Sequence, residues 1–360
     1  MPGDVGMEWS FKYNPFNSYK LIYHAAYWAS IKEGKIPPPI LVTLDPSNVC
    51  NFKCTYCNAA AKMRTSSDMY SDYLVSELPL FLQKWGVRAV CIAGGGEPTL
   101  HTKFSNLVDG LVDVGIQVGV VTNGTRLTKH LKALGRCEWV GVSVDAGTAK
   151  SFSSLKGVGK TAFGRVLANI KKLRGAFPSL EITYKFLGHP YNLDTIYKAV
   201  SIAKGLGCTY FHFRPAGKTW DALDCPDLFS STDISDASTQ LENARSDFED
   251  ASFRVFGVTH KFSPSWGITN SFTKCKAVGM TCVIQPDNTV GLCCDRRGDP
   301  TLNLVRFTKL EEITAVWSSE KHFEIMKNIN LSRCPRCTYT PHNEIFEHFI
   351  DYDSTYKFFI

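Results

Sequence analysis

The stretch RAVCIAGGGEPTLHTKFSNLVDGLVDVGIQVGVVTNGT, residues 88–125, decides the fold. It opens on an apolar run, RAVCIAG (88–94), whose last residue begins a glycine triplet. Apolar residues then recur near helical period over 102–114, and a second apolar run, IQVGVVT, fills 116–122. This is one strand–helix–strand unit, and the chain repeats it.

The other strand candidates are ILVTLD (40–45), EWVGVSVD (138–145), LEITYKF (180–186) and CTYFHFR (208–214), with helical periodicity over 70–85, 163–174 and 193–206. Repeated βα units imply a parallel sheet with helices outside it. Six units close into a partial barrel or lie open as a doubly wound sheet. Periodicity alone does not choose, but in both cases ligands collect at the C-terminal ends of the strands. Each of the first four strands is followed there by chemically informative residues: a cysteine loop, GGGEPT, NGT and DAG.

Outside this block, residues 17–34 have helical composition that ends at KIPPPI. A helix is expected from about Ser231 to Glu249, and SFRVFGVTHKF reads as a further strand. CVIQPDNTVGLCC looks like a hairpin turning at Asp287–Asn288, KLEEITAVWSSEKHFEIMKNI like one amphipathic helix, and CPRC closes a second cysteine-rich module.

The 360 residues suffice for one large domain and a smaller one, with a core that needs no disulfide staples. Neither a signal peptide nor a run of about 18 apolar residues occurs, which points to a cytoplasmic protein that does not span a membrane. The net charge of +6 comes from scattered Lys and Arg, which argues against a nucleic-acid face. Thirteen cysteines, an odd number, argue for thiolate ligands in a reducing compartment and against a disulfide framework.

DPSNVCNFKCTYCNAAAKM (45–63) places Cys50, Cys54 and Cys57 in the spacing C-x3-C-x2-C. A structural zinc site wants four protein ligands, and neither a His nor a fourth Cys lies nearby. Three thiolates on a cubane iron–sulfur cluster would leave one iron open to an exogenous ligand.

CNFKCTYC, with an aromatic before the last cysteine, followed by GGGEP after the next strand, resembles the radical S-adenosylmethionine superfamily. The resemblance implies that the amino and carboxylate groups of S-adenosylmethionine fill the open iron position of a [4Fe–4S] cluster. Reduction would then yield a 5′-deoxyadenosyl radical that takes hydrogen from substrate. It also implies that Gly94, Gly95, Gly96 and Glu97 hold the methionine amino group and that Tyr56 meets adenine. Asn123 and Ser143 end the third and fourth strands, where they are candidates for the ribose or the carboxylate. Asp145 is a further candidate, although Asp-Ala-Gly is also ordinary turn chemistry.

Cys275, Cys293, Cys334 and Cys337 form a four-thiolate set that suits an auxiliary [4Fe–4S] cluster or zinc, with Cys294 as an alternative to Cys293. Their order around the hairpin resembles the twitch module, a shortened SPASM domain, which implies iron. The expected architecture is therefore α/β: an N-terminal helical segment (1–39), a partial (β/α)6 TIM-like barrel (40–262), a small α+β iron–sulfur module (263–340) and a tail (341–360).

The expected function is radical dehydrogenation or epimerisation of a polar small-molecule substrate in a biosynthetic pathway, with an electron donor such as flavodoxin or ferredoxin. Arg214 is a candidate for holding the substrate or assisting proton removal, and Cys225 for returning a hydrogen atom. Modification of a ribosomal peptide is the alternative. A protein with two zinc sites that binds nucleic acid is the alternative of another class.

Overall fold

The computed structural model describes residues 18–57, 59, 66–221, 223, 228–262, 271–334 and 337–350. Its centre is a single ten-stranded sheet. The strands in chain order are β1 (Leu41–Leu44), β2 (Ala89–Ile92), β3 (Gln117–Thr122), β4 (Trp139–Ser143), β5 (Glu181–Gly188), β6 (Tyr210–Pro215), β7 (Arg254–Gly257), β8 (Thr281–Ile284), β9 (Thr289–Gly291) and β10 (Asn303–Arg306). Neighbours run in the order β10-β9-β8-β1-β2-β3-β4-β5-β6-β7. Every pair from β1 to β7 is parallel, as the strand–helix rhythm demands.

Alternate residues of each strand face opposite sides of the sheet. One side carries Val42 and Leu44, Val118 and Val120, Val140 and Val142, Tyr184 and Phe186, and Phe211 and Phe213, all buried in one core. Rings on β5 and β6 continue that packing, with centroids 5.7–6.0 Å apart. The helices cover this side. The other side, the barrel interior, carries Thr43, Cys91, Ser143, Lys185, His212 and Arg214 together with Val121, Trp139 and Leu187, a more polar mixture.

Helix ends follow from local chemistry. Asp72–Trp85 begins with Ser71 accepting from the Leu74 amide and stops at Gly86, whose φ of 102° suits glycine. Ser231–Phe248 starts in a reciprocal capping box between Ser230 and Asp233. Two helices, Ala149–Lys156 and Thr161–Ala176, occupy the connection between β4 and β5.

The sheet does not stop at the barrel. β8 lies parallel to β1, pairing Leu41 with Thr281 and Leu44 with Ile284. β8 and β9 form the expected hairpin: Asn288 adopts φ 64°, and the Asp287 carboxylate accepts from the Thr289 amide. The single amphipathic helix expected after it is instead two, Glu311–Val316 and Glu320–Lys327. Ser318 at φ 63° breaks the run, and its backbone amide donates to His322 Nδ1. Leu21 and Tyr27 of the N-terminal segment pack with Met280 and with Phe346 of the tail. No helix among the described residues is long and apolar enough to cross a membrane.

Candidate active site

The loop after β1 carries Cys50, Cys54 and Cys57, all as free thiols. Its backbone is held from two sides. The glycine loop after β2 grips its start: the Gly96 amide donates to the Ser47 carbonyl at 3.0 Å and the Glu97 amide to the Val49 carbonyl at 2.9 Å. Glycine is required there, since a Cβ on Gly96 would stand 2.3 Å from the Val49 oxygen and 2.5 Å from the Asn48 carbonyl carbon. On the far side, the Lys53 and Thr55 amides donate to the last carbonyls of helix Ala149–Lys156, at 2.9 and 3.0 Å. That helix ends at Gly157, whose φ is 62°.

Glu97 is almost wholly buried. Its carboxylate accepts from the Thr99 amide (3.1 Å) and hydroxyl, from the Thr122 hydroxyl (2.6 Å) and from the Asn123 amide (2.7 Å). Burial pushes its pKa up, against those bonds. Asn123 donates through Nδ2 to Asn51 Oδ1 at 2.8 Å, beside Cys50, while its own oxygen accepts from Thr125. Both side chains therefore tie the end of β3 to the cysteine and glycine loops.

Asp145, in the left-handed region at φ 56°, does the same for β4. Its carboxylate accepts from the Tyr56 hydroxyl (2.9 Å), from the Leu187 amide (2.6 Å) and from the Lys156 ammonium. Burial alone would lower the Lys156 pKa, but Asp145 and the nearby thiols raise it. Lys156 also stands 5.4 Å from the Tyr56 ring centroid. Ser143 lies on the interior face opposite Lys185.

Burial pushes the Cys54 thiol up to about 11 and raises Cys50 as well. Cys54 senses the charges of Cys57 and Cys50, and Cys50 senses that of Cys57. Among the described residues no three Cys, His, Asp or Glu side chains converge on one ion. Three separate thiols on one braced loop fit the irons of a cluster, each taking one thiolate.

In the C-terminal segment, Cys275 and Cys337 pack around Ala277 and Tyr339. The Asn343 amide donates to Cys275 Sγ at 3.6 Å, and Arg296 donates to Cys334 Sγ at 3.5 Å. Burial raises Cys293 far above an ordinary thiol, with Cys294, Asp295, Cys275 and Cys337 adding to it. Cys294 differs: its thiol meets the Tyr339 hydroxyl at 3.5 Å, and it is influenced by Arg297 and by Cys91 of β2. Arg297 pairs with buried Asp45 at the end of β1, at 2.7 Å. Trp220 joins the two cysteine regions. Like Cys57 it packs against Ala59; it donates to the Arg297 carbonyl at 3.0 Å and lies under the Arg333 guanidinium.

Arg214 faces the interior near the C-terminal end of β6, and its buried Nε has no hydrogen-bond partner among the described residues. Cys225 lies outside the described residues. The sequence did not single out Asn51, Thr122, Lys156, Lys185, Trp220 or Arg297. The position of Lys185 one residue from Tyr184 on a strand was the available signal for one of them.

The profile of the Radical SAM superfamily matches residues 44–203. Among curated proteins, the chain is 29% identical over 180 residues to an AdoMet-dependent heme synthase of Methanosarcina barkeri, covering 48% of this chain and 50% of that protein. It is 31% identical over 145 residues to a GTP 3′,8-cyclase of Psychromonas ingrahamii, covering 39% and 42%. It is 26% identical over 198 residues to the mycofactocin maturase MftC of Mycobacterium ulcerans, covering 53% of each. The chain thus spans about half the length of the curated relatives it matches. Among solved structures, Streptococcus suis SuiB bound to precursor peptide SuiA superposes with a TM-score of 0.66 at 17% identity, over 87% of this chain and 72% of that one. Native anSMEcpe with bound AdoMet gives 0.60 at 17% identity, over 86% and 97%. The architecture is the partial barrel of these proteins, and the similarity to the radical S-adenosylmethionine superfamily lies in residues 44–203, under half of the chain.

Proposed function

We propose that the chain is a radical S-adenosylmethionine enzyme with an auxiliary iron–sulfur cluster, acting on a polar small molecule by dehydrogenation or epimerisation. The observation that carries this is the bracing of the Cys50–Cys57 loop by the Gly96–Glu97 backbone, Asn123 and the Asp145–Lys156 pair. When bound, a [4Fe–4S] cluster with S-adenosylmethionine supplies a 5′-deoxyadenosyl radical that removes hydrogen from substrate.

In this reading Cys50, Cys54 and Cys57 hold that cluster, and the carbonyls of Gly94–Gly96 accept from the methionine ammonium group. Ser143 offers its hydroxyl from the interior face, and the backbone of Tyr56 borders the adenine. Glu97, Asn123 and Asp145 serve as positioning residues, because protein donors and acceptors already engage their side-chain polar atoms.

Cys275, Cys293, Cys334 and Cys337 hold the auxiliary cluster, within a twitch-like module at 263–340. Cys293 is favoured over Cys294, since it feels both Cys275 and Cys337 while Cys294 is engaged by Tyr339. Such a group, when bound, accepts an electron from substrate, which suits dehydrogenation. A reductant of the flavodoxin or ferredoxin kind would serve the first cluster. Similarity to a peptide maturase favours radical modification of a peptide as the second reading.

Replacing Cys50, Cys54 and Cys57 together by Ala tests the assignment. The variant should form no 5′-deoxyadenosine and keep about four irons. Continued cofactor cleavage by the variant would refute it.

A further inference from the structure

Lys185 and Arg214 stand on the interior face of adjacent strands, opposite the aromatic core. β5 and β6 place Lys185 beside His212, and Leu187 beside Arg214. The two cations are therefore diagonal neighbours, with Cα atoms about 8 Å apart from strand spacing and rise. Gly141 on β4 leaves room for the lysine chain to cross the interior: a Cβ there would lie 2.9 Å from Lys185 Cδ. Ser143 is directly opposite Lys185 on the same face.

Neither cation has a hydrogen-bonded or ion-paired partner among the described residues, and the Arg214 Nε is buried without one. Asp145, the carboxylate whose charge acts on Lys185, and Asp45 at the end of β1 are both committed elsewhere. Asp145 serves Tyr56, Lys156 and the Leu187 amide, and Asp45 serves Arg297. Lys261 adds to the positive charge around them, while burial and these three cations push His212 well below the ordinary imidazole range, so it stays neutral and supplies no negative charge. Holding two like charges together in a partly desolvated space is costly unless an anion arrives to share them.

We propose that Lys185 and Arg214 bind an oxyanion of the substrate, a carboxylate or a phosphate, at the C-terminal end of the barrel interior. This site defines the substrate class of the radical enzyme proposed above, and rests on that reading. The anion would fix one end of the substrate between β5 and β6 and present its remainder to the cysteine-loop side of the interior. A guanidinium and an ammonium favour such groups by charge-assisted hydrogen bonds.

Isothermal titration calorimetry on the iron-loaded chain of 360 residues tests this, with sodium pyrophosphate and sodium succinate as probes, each with and without saturating S-adenosylmethionine. At least one probe should bind the wild type in both conditions. Preference for pyrophosphate identifies a phosphorylated substrate, and preference for succinate a carboxylate. Lys185→Gln and Arg214→Gln should each weaken binding at least about tenfold, while the exposed Lys132→Gln should not change it. Iron content and melting temperature verify that each variant is folded.

Binding of neither probe, or equal binding by the variants, would overturn the proposal. Loss of binding when S-adenosylmethionine is present would also overturn it, by assigning the cations to the cofactor's carboxylate. The radical reading fails separately. A wild-type chain that binds the anion but forms no 5′-deoxyadenosine refutes that reading and leaves the anion site standing; the converse refutes the anion site alone.

Discussion

Lys156→Met removes the cation from a pair whose side chains are only 3% and 4% exposed. Asp145 would keep its bonds to the Tyr56 hydroxyl and the Leu187 amide, yet its charge would remain buried without a counter-ion. Breaking such a pair from one side costs about 3–5 kcal/mol. For 360 residues, an unfolding entropy of about 0.76 kcal/mol/K follows from ~2.1 cal/mol/K per residue, so the melting temperature should fall by about 4–7 °C. Methionine matches the aliphatic stem of lysine, so packing loss adds little. The companion variant Asp145→Asn/Lys156→Met removes both charges and should recover about 1–3 kcal/mol relative to the sum of the single changes. Differential scanning calorimetry of the wild type, both single variants and the double variant closes the cycle. A Lys156→Met melting temperature within about 1 °C of wild type, or strict additivity in the double variant, would show that the pair does not brace the cysteine loop.

Gly96→Ala should destabilise by about 1–3 kcal/mol through backbone collision with Val49 and Asn48, and lower the yield of 5′-deoxyadenosine; unchanged melting and yield would contradict the two-loop contact. Glu97→Gln turns an amide NH2 toward donors now facing a carboxylate, and should cost about 1–3 kcal/mol in a urea titration. His322 is buried, and desolvation lowers its pKa to about 4, against about 6.5 when unfolded. The folded state therefore binds fewer protons between those values, and stability present above pH 6.5 is lost as pH falls toward 4. By pH 4.5 the loss from this residue reaches about 2–3 kcal/mol. His322→Gln should flatten the melting-temperature profile over that range, and an identical profile would rule the residue out.

The strand–helix rhythm was legible because each strand writes its own local alternation and each helix its own period. Residues 88–125 gave β2, its helix and β3 to within two residues at each end. The pairing of β8 with β1 was not legible. A parallel neighbour from over 200 residues away leaves no mark on either strand's pattern. The break at Ser318 was hidden for a different reason: VWSSEKHF keeps an amphipathic spacing, and tertiary contacts of Trp317 with Pro37 and His322 decide where the chain turns. The cysteines were legible through spacing. The braces beneath them were not, since Lys156 and Asn51 are ordinary surface types in sequence and become site residues only through Asp145 and Asn123, which the fold brings to them.

The most direct measurement is the iron and sulfide content of anaerobically reconstituted wild-type protein, followed in the same sample by chromatography for 5′-deoxyadenosine after S-adenosylmethionine and dithionite are added. About eight irons per chain with 5′-deoxyadenosine formation is the predicted result. Bound zinc in place of iron, with the cofactor left intact, would contradict it.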